Sequence, residues 1–175
     1  MGMQATPPEA TEFPPYYARY VALVGTDNLL AALTGGPDAL EALLAGGPPT
    51  LGDVAYAPGK WTVKEVLGHL CDTERVFAYR LMRAARGDGT PLPGYDDEAW
   101  AAAWDVSGLS VPELLGEFRA VRAASVQLVR HLNAAAWDRT VTANGGMFTV
   151  RALAYLIAGH ERHHRALLRE RYLPG

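Results

Sequence analysis

The sequence predicts an all-α fold, a four-helix bundle, on three observations. Two segments carry the same helix-start signature, apolar residues recur at spacings of three and four over long stretches, and one long connection crosses the middle of the chain. At 175 residues the chain is long enough to bury one core, and about half of its residues are apolar. A single domain over residues 14–175 is expected, preceded by a loose N-terminal arm at residues 1–13, which is rich in Pro, Ala and Glu and has no periodicity.

From Pro14, the positions Tyr17, Tyr20, Val21, Val24, Leu29, Leu30 and Leu33 suggest a first helix bent near Gly25, and Pro37 then starts a short helix through Leu44. Residues 46–59, with their glycines and prolines, form a connection. At Thr62-Val63-Lys64-Glu65 the Thr hydroxyl can accept from the third amide while the Glu reaches back, so a second helix starts here. Its apolar stripe (Val66, Leu67, Leu70, Phe77, Leu81, Met82) carries it to about Arg86, before Gly87.

Residues 87–109 hold Pro91, Pro93 and Gly94 and a short helix from Asp97 to Ala103. Antiparallel neighbours need only roughly two to eight linking residues, so this length lets the second and third helices run parallel. Ser110-Val111-Pro112-Glu113 opens the third helix, with its stripe at Leu114, Leu115, Phe118, Val121, Leu128 and Leu132. Asn144-Gly145-Gly146 marks a turn, and Thr140, Val141 and Thr142 favour a short hairpin near residues 138–148. Thr149 then caps a last helix that ends near Tyr172.

The formal charge of -3 is spread along the helices with no basic face, which argues against a nucleic-acid partner. No leader-like start and no membrane-length apolar run is present, so a cytoplasmic protein without a membrane partner is expected. Cys71 is the single cysteine, which excludes an internal disulfide and a cysteine zinc ribbon. It reads as a small buried apolar residue rather than a nucleophile.

Any metal must therefore be held by His and carboxylates. Three of the five histidines fall in Gly159-His160-Glu161-Arg162-His163-His164. At about 100° per residue, His160 and His164 flank the midline of the apolar stripe, while His163 lies further round on the other side. His69, on the second helix, can face the same interior, so a metal site of His69, His160 and His164 is expected if the two helices are neighbours. Three imidazoles leave coordination positions open, and they accept Zn, Ni, Co, Fe or Mn, with zinc expected on abundance. Protonation would compete with the metal as pH falls from about 6.5 towards 5.

Asp72, one turn beyond His69, could orient that ring or be a solvated carboxylate, and Arg75, Arg80, Arg83 and Arg122 read as solvated. His131 reads as a helix-end surface residue outside the site. The HExxH pattern of zinc proteases is absent.

WTVKEVLGHLCDTERV, followed far downstream by TVRALAYLIAGHERHHRALLRERY, resembles the DinB/YfiT-like metalloenzyme superfamily, and PPYYARYVALV near the start is also similar to it. The resemblance covers most of the chain. It implies an up-down-down-up bundle, often a homodimer, in which one His of the second helix and two of the last bind a divalent metal. Carried across, these are His69, His160 and His164, with the doubled His163-His164 leaving open which ring binds. Enzymes of the family include bacillithiol transferases, a mycothiol-dependent maleylpyruvate isomerase and a glutathione-dependent relative. The resemblance thus implies a small-molecule substrate. It also implies either a transferase activating a low-molecular-weight thiol such as bacillithiol, by lowering the thiol pKa, or a hydrolase activating water. A noncatalytic metal-binding or stress-response bundle is the alternative.

Overall fold

The computed structural model describes residues 6–173. Six α-helices and one hairpin follow in order: α1 (Ala18–Val24), α2 (Leu29–Leu44), α3 (Val63–Ala85), α4 (Asp97–Ala103), α5 (Val111–Arg130), β1 (Thr140–Ala143), β2 (Gly146–Thr149) and α6 (Val150–Leu167), which widens into a π turn at Leu168–Tyr172. The bundle is made by α1 with α2, then α3, α5 and α6.

Side-chain contacts give its directions. Lys64 reaches Ser107 and Arg75 pairs with Glu117, so α3 and α5 run parallel. Arg119 bonds Asp38 while Arg122 bonds Leu33, so α2 and α5 run antiparallel. His69, near the start of α3, meets His160 and His164, near the end of α6, so those two helices are antiparallel as well. The result is the up-down-down-up order, and the long segment 87–109 is what permits the parallel pair.

Both capping boxes form: Thr62 Oγ1 accepts from Glu65 N while Glu65 accepts from Thr62 N, and Ser110 and Glu113 do the same. Asn144 and Gly145, with φ of 51° and 73°, supply the two left-handed residues of a two-residue hairpin turn. Leu92 donates to Thr142 O and accepts from Asn144 N, which ties the crossover segment to the hairpin.

Three expectations need correction. The first helix is not merely bent near Gly25: it breaks there, and Asn28 caps a new helix. Pro37 does not start a helix but sits inside α2. Its missing N–H leaves the Leu33 carbonyl without its usual donor, and Arg122 Nη1 fills that place at 3.0 Å. A Cβ at Gly36 would lie 2.6 Å from that same nitrogen, so glycine is what lets the guanidinium in. Arg122 and Arg80 are accordingly buried, 1% and 3% exposed, rather than solvated.

Of the arm expected at residues 1–13, residues 1–5 lie outside the described residues. The rest is tied down at its end: Phe13 is buried, and the Glu12 carboxylate accepts from Thr149 Oγ1 at 2.6 Å and pairs with Arg151 at 3.0 Å. Among the described residues no helix is long and apolar enough to cross a membrane.

Candidate metal centre

The apolar stripe that makes α6 a core helix also turns His160 and His164 inward, one helical turn apart, and α3 presents His69 opposite them. All three rings are buried, and a ligating nitrogen from each lies within 4.8 Å of the others. His160 Nε2 is 3.1 Å from His69 Nε2 and 3.1 Å from His164 Nε2. Gly159 makes this approach possible on the α1 side, since a Cβ there would run into the Tyr20 carbonyl.

The donor set fits a divalent cation. A ring nitrogen carries one hydrogen or one lone pair, so His160 Nε2 cannot complete a good hydrogen bond to both of its neighbours at once. An ion bound at about 2.0–2.1 Å from each nitrogen places them roughly 2.9–3.4 Å apart, the spacing seen here. Burial holds the rings neutral, the state in which a lone pair is free: His69 is pushed down to about 4, while His160 and His164 fall well below the usual imidazole value. Mutual repulsion within the cluster adds to the effect for His160 and His164.

This burial moves proton competition with a metal below the window from 6.5 to 5 read from the sequence, to about 4 at His69. It also fixes a stability trend. In unfolded chain the rings titrate near 6.5, so between there and pH 4 the unfolded state holds more protons than the folded one. Metal-free protein is expected to keep its full stability above about pH 6.5 and to lose it as pH falls towards 4, with His69 alone costing on the order of 3 kcal/mol. Urea unfolding at a series of pH values checks this, and an unfolding free energy flat over that window would contradict it.

The remaining sequence candidates are placed as follows. His163 is half-buried and stacks edge-on against Tyr20, with ring centres 5.2 Å apart, outside the convergent set. Asp72 points to Arg75 at 3.4 Å and does not orient His69. That role falls to Thr73, whose Oγ1 lies 3.4 Å from His69 Nδ1 and 2.7 Å from Tyr95 OH. A residue four places on is only about 40° round the helix from His69, whereas one three places on is about 60° round on the other side, so the spacing favoured Thr73. His131 caps the end of α5 at the surface. Cys71 is fully buried but lies about 200° round α3 from His69, outside the site, and burial pushes its thiol up to about 12.

Above the three rings is a cavity of about 300 Å³ whose walls include Tyr17, Tyr20, Trp61, Phe77, Tyr95 and Arg80. Exposed Tyr16 and Asp97 stand at its rim, so it reaches solvent.

Fold and site together define an all-helical bundle with three convergent imidazoles at the base of a solvent-reaching pocket. The sequence profile of the DinB superfamily matches residues 32–168, and the chain belongs to that superfamily. It is 28% identical to the protein named "putative metal-dependent hydrolase OB0782" of Oceanobacillus iheyensis, over 65% of this chain and 66% of that one. It is 27% identical to "putative metal-dependent hydrolase GK0616" of Geobacillus kaustophilus, over 78% of each. In fold it is similar to YfiT of Bacillus subtilis, described as "a probable metal-dependent hydrolase with an unusual four-helix bundle topology", with a TM-score of 0.74, 23% identity and 82% and 83% of the two chains covered.

Proposed function

We propose that His69, His160 and His164 hold one divalent metal and that the protein is a metal-dependent enzyme of the hydrolase type acting on a small molecule. The observation that carries this reading is the meeting of three buried, neutral imidazoles through their Nε2 atoms at the foot of an open pocket. Zinc is the expected ion, with Ni, Co, Fe or Mn as alternatives that the same nitrogen set accepts. The ion supplies Lewis acidity, which lowers the pKa of a water or thiol entering its coordination sphere.

The chain's own residues do the rest. Burial keeps the three lone pairs available at neutral pH. With its Nε2 turned to the ion, His69 carries its proton on Nδ1, where Thr73 Oγ1 accepts it, and Tyr95 holds that hydroxyl in turn. Thr73→Val keeps the side-chain shape and removes this partner, so metal affinity is expected to weaken by about ten- to hundredfold with the fold intact. Competition with a chromophoric chelator measures it.

The pocket volume favours a second reading within the same site. About 300 Å³ leaves room for a co-substrate larger than water, so a thiol such as bacillithiol could serve as nucleophile in a transferase reaction. A noncatalytic metal-binding bundle is the alternative, and it predicts an ion bound without turnover in either assay. We take the protein to be a homodimer on the family pattern.

Metal analysis of protein purified without a nickel column tests the centre, with about one ion per chain expected. Turnover of a panel of hydrolysable esters and amides, and of electrophiles with and without bacillithiol, then separates the readings. Turnover without thiol that is abolished by chelation and restored by metal supports the hydrolase, while strict thiol dependence replaces it with the transferase. A chain that binds no ion overturns both.

A further inference from the structure

The pocket holds a buried charge that the metal does not explain. Arg80 lies on α3 on the same face as His69, Thr73 and Phe77, and its side chain is part of the cavity wall while remaining only 3% exposed. Among the described residues no carboxylate lies within ion-pair distance of it. What it meets are dipoles: Nη2 donates to the Pro93 carbonyl at 3.2 Å, and the Tyr17 hydroxyl is close enough to feel its charge.

The contrast within the molecule is direct. Arg122, equally buried, is matched by the Glu74 carboxylate through Nε and Nη2 at 2.8 Å each. A buried guanidinium without a counter-ion is costly, since dipoles replace only part of its hydration. Asp97, at the rim of the same cavity, is exposed and makes no ion pair with Arg80, so solvent screens it.

We propose that Arg80 is the anchor for a carboxylate group of the substrate, which makes the pocket a site for small carboxylate-bearing molecules. The proposal rests on the metal-dependent reading of the same pocket. A planar guanidinium matches a carboxylate through two parallel hydrogen bonds, and a single cation suits a monoanion better than a phosphate dianion. Arg80 and His69 are eleven residues apart on one helix, about 16 Å along its axis, and helical side chains lean towards the N-terminus, so the guanidinium reaches back towards the triad. A carboxylate seated on it directs the remainder of the molecule at the three imidazoles, between the Tyr17 and Tyr95 rings. The Tyr17 and Tyr95 hydroxyls and the exposed Asn144 amide add hydrogen-bonding groups to that wall.

The test uses the whole chain in metal-free and zinc-loaded forms, titrated calorimetrically with acetate, succinate and phenylacetate and with their uncharged amides. Metal-free protein is expected to bind at least one carboxylate about tenfold or more tightly than its amide, since charge-assisted hydrogen bonds in a desolvated site carry that difference. Arg80→Gln is expected to bring the ratio close to one, and Arg80→Lys to keep part of it. Zinc stoichiometry should stay that of the parent in both variants.

A purely structural Arg80, serving to pin Pro93, would lower thermal stability on substitution without changing the ratio of carboxylate to amide. That result overturns the proposal, as does failure of every carboxylate to bind in preference to its amide. Because the ratio is read without metal, a chain that binds carboxylates and no zinc overturns the metal reading alone, and the converse overturns the role of Arg80 alone.

Discussion

His164→Ala is expected to empty the proposed metal centre, while its neighbour variant His163→Ala keeps the centre filled. His164 Nε2 lies 3.1 Å from His160 Nε2 inside the buried cluster, whereas the His163 ring turns away to stack on Tyr20. Removing one of three ligands costs more affinity than the roughly ten- to hundredfold typical of a supporting hydrogen-bond partner. The fold should tolerate the change, because His164 Nδ1 is buried without a hydrogen-bond partner among the described residues and its loss strands no other polar group there. Zinc content by mass spectrometry, beside circular dichroism to confirm folding, reads the outcome. Retention of zinc by the folded His164→Ala protein together with its loss from His163→Ala would reverse the ligand assignment.

Arg122→Met is expected to destabilise the protein by about 3–5 kcal/mol, because it leaves the Glu74 carboxylate buried without its partner. The guanidinium closes several accounts at once in the middle of the bundle. It pairs with Glu74 on α3, donates to the Leu33 carbonyl on α2 that Pro37 leaves open, and reaches the Ile157 carbonyl on α6 at 3.4 Å. Glu161 sits close by with its carboxylate buried and raised in pKa by that burial; Arg165 stands 3.2 Å from it, within ion-pair range but without hydrogen-bond geometry. Nearby Arg122 counters that rise, so its removal weakens a second carboxylate. The double variant Arg122→Met/Glu74→Leu is expected to recover much of the loss, since neither charge then remains unpaired. Urea unfolding of the parent, both single variants and the double gives the coupling. A single variant within about 1 kcal/mol of the parent would show that the pair does not carry this weight.

The elements that could be read in the sequence are those with local causes. Thr62 with Glu65, and Ser110 with Glu113, mark two helix starts to the residue because a capping box closes within four positions. The short helix Asp97–Ala103 and the turn at Asn144-Gly145 follow in the same way from a cap and from residues that accept positive φ. The inward direction of His160 and His164 follows from periodicity along one helix.

Pro37 misled for the complementary reason. Proline is a local signal for a helix start, and α2 runs through it because Arg122, from another helix, supplies the hydrogen bond that the ring removes. The same limit hid Arg80 and Arg122 among the solvated arginines, since neither pattern nor composition says which charge will be enclosed.

By itself, then, the sequence determined the two capped helix starts, the hairpin turn, the crossover length that lets the second and third helices run parallel, and the set of imidazoles to consider. Capping, backbone dihedrals and helical spacing act over a few residues and are written in them. Only the tertiary structure decided that His69 meets His160 across 91 positions, that Thr73 rather than Asp72 supports it, and that Glu74 answers Arg122 across 48 while no carboxylate answers Arg80. Those outcomes depend on which surfaces lose water when the helices pack, and desolvation is a property of the assembled bundle rather than of any one segment.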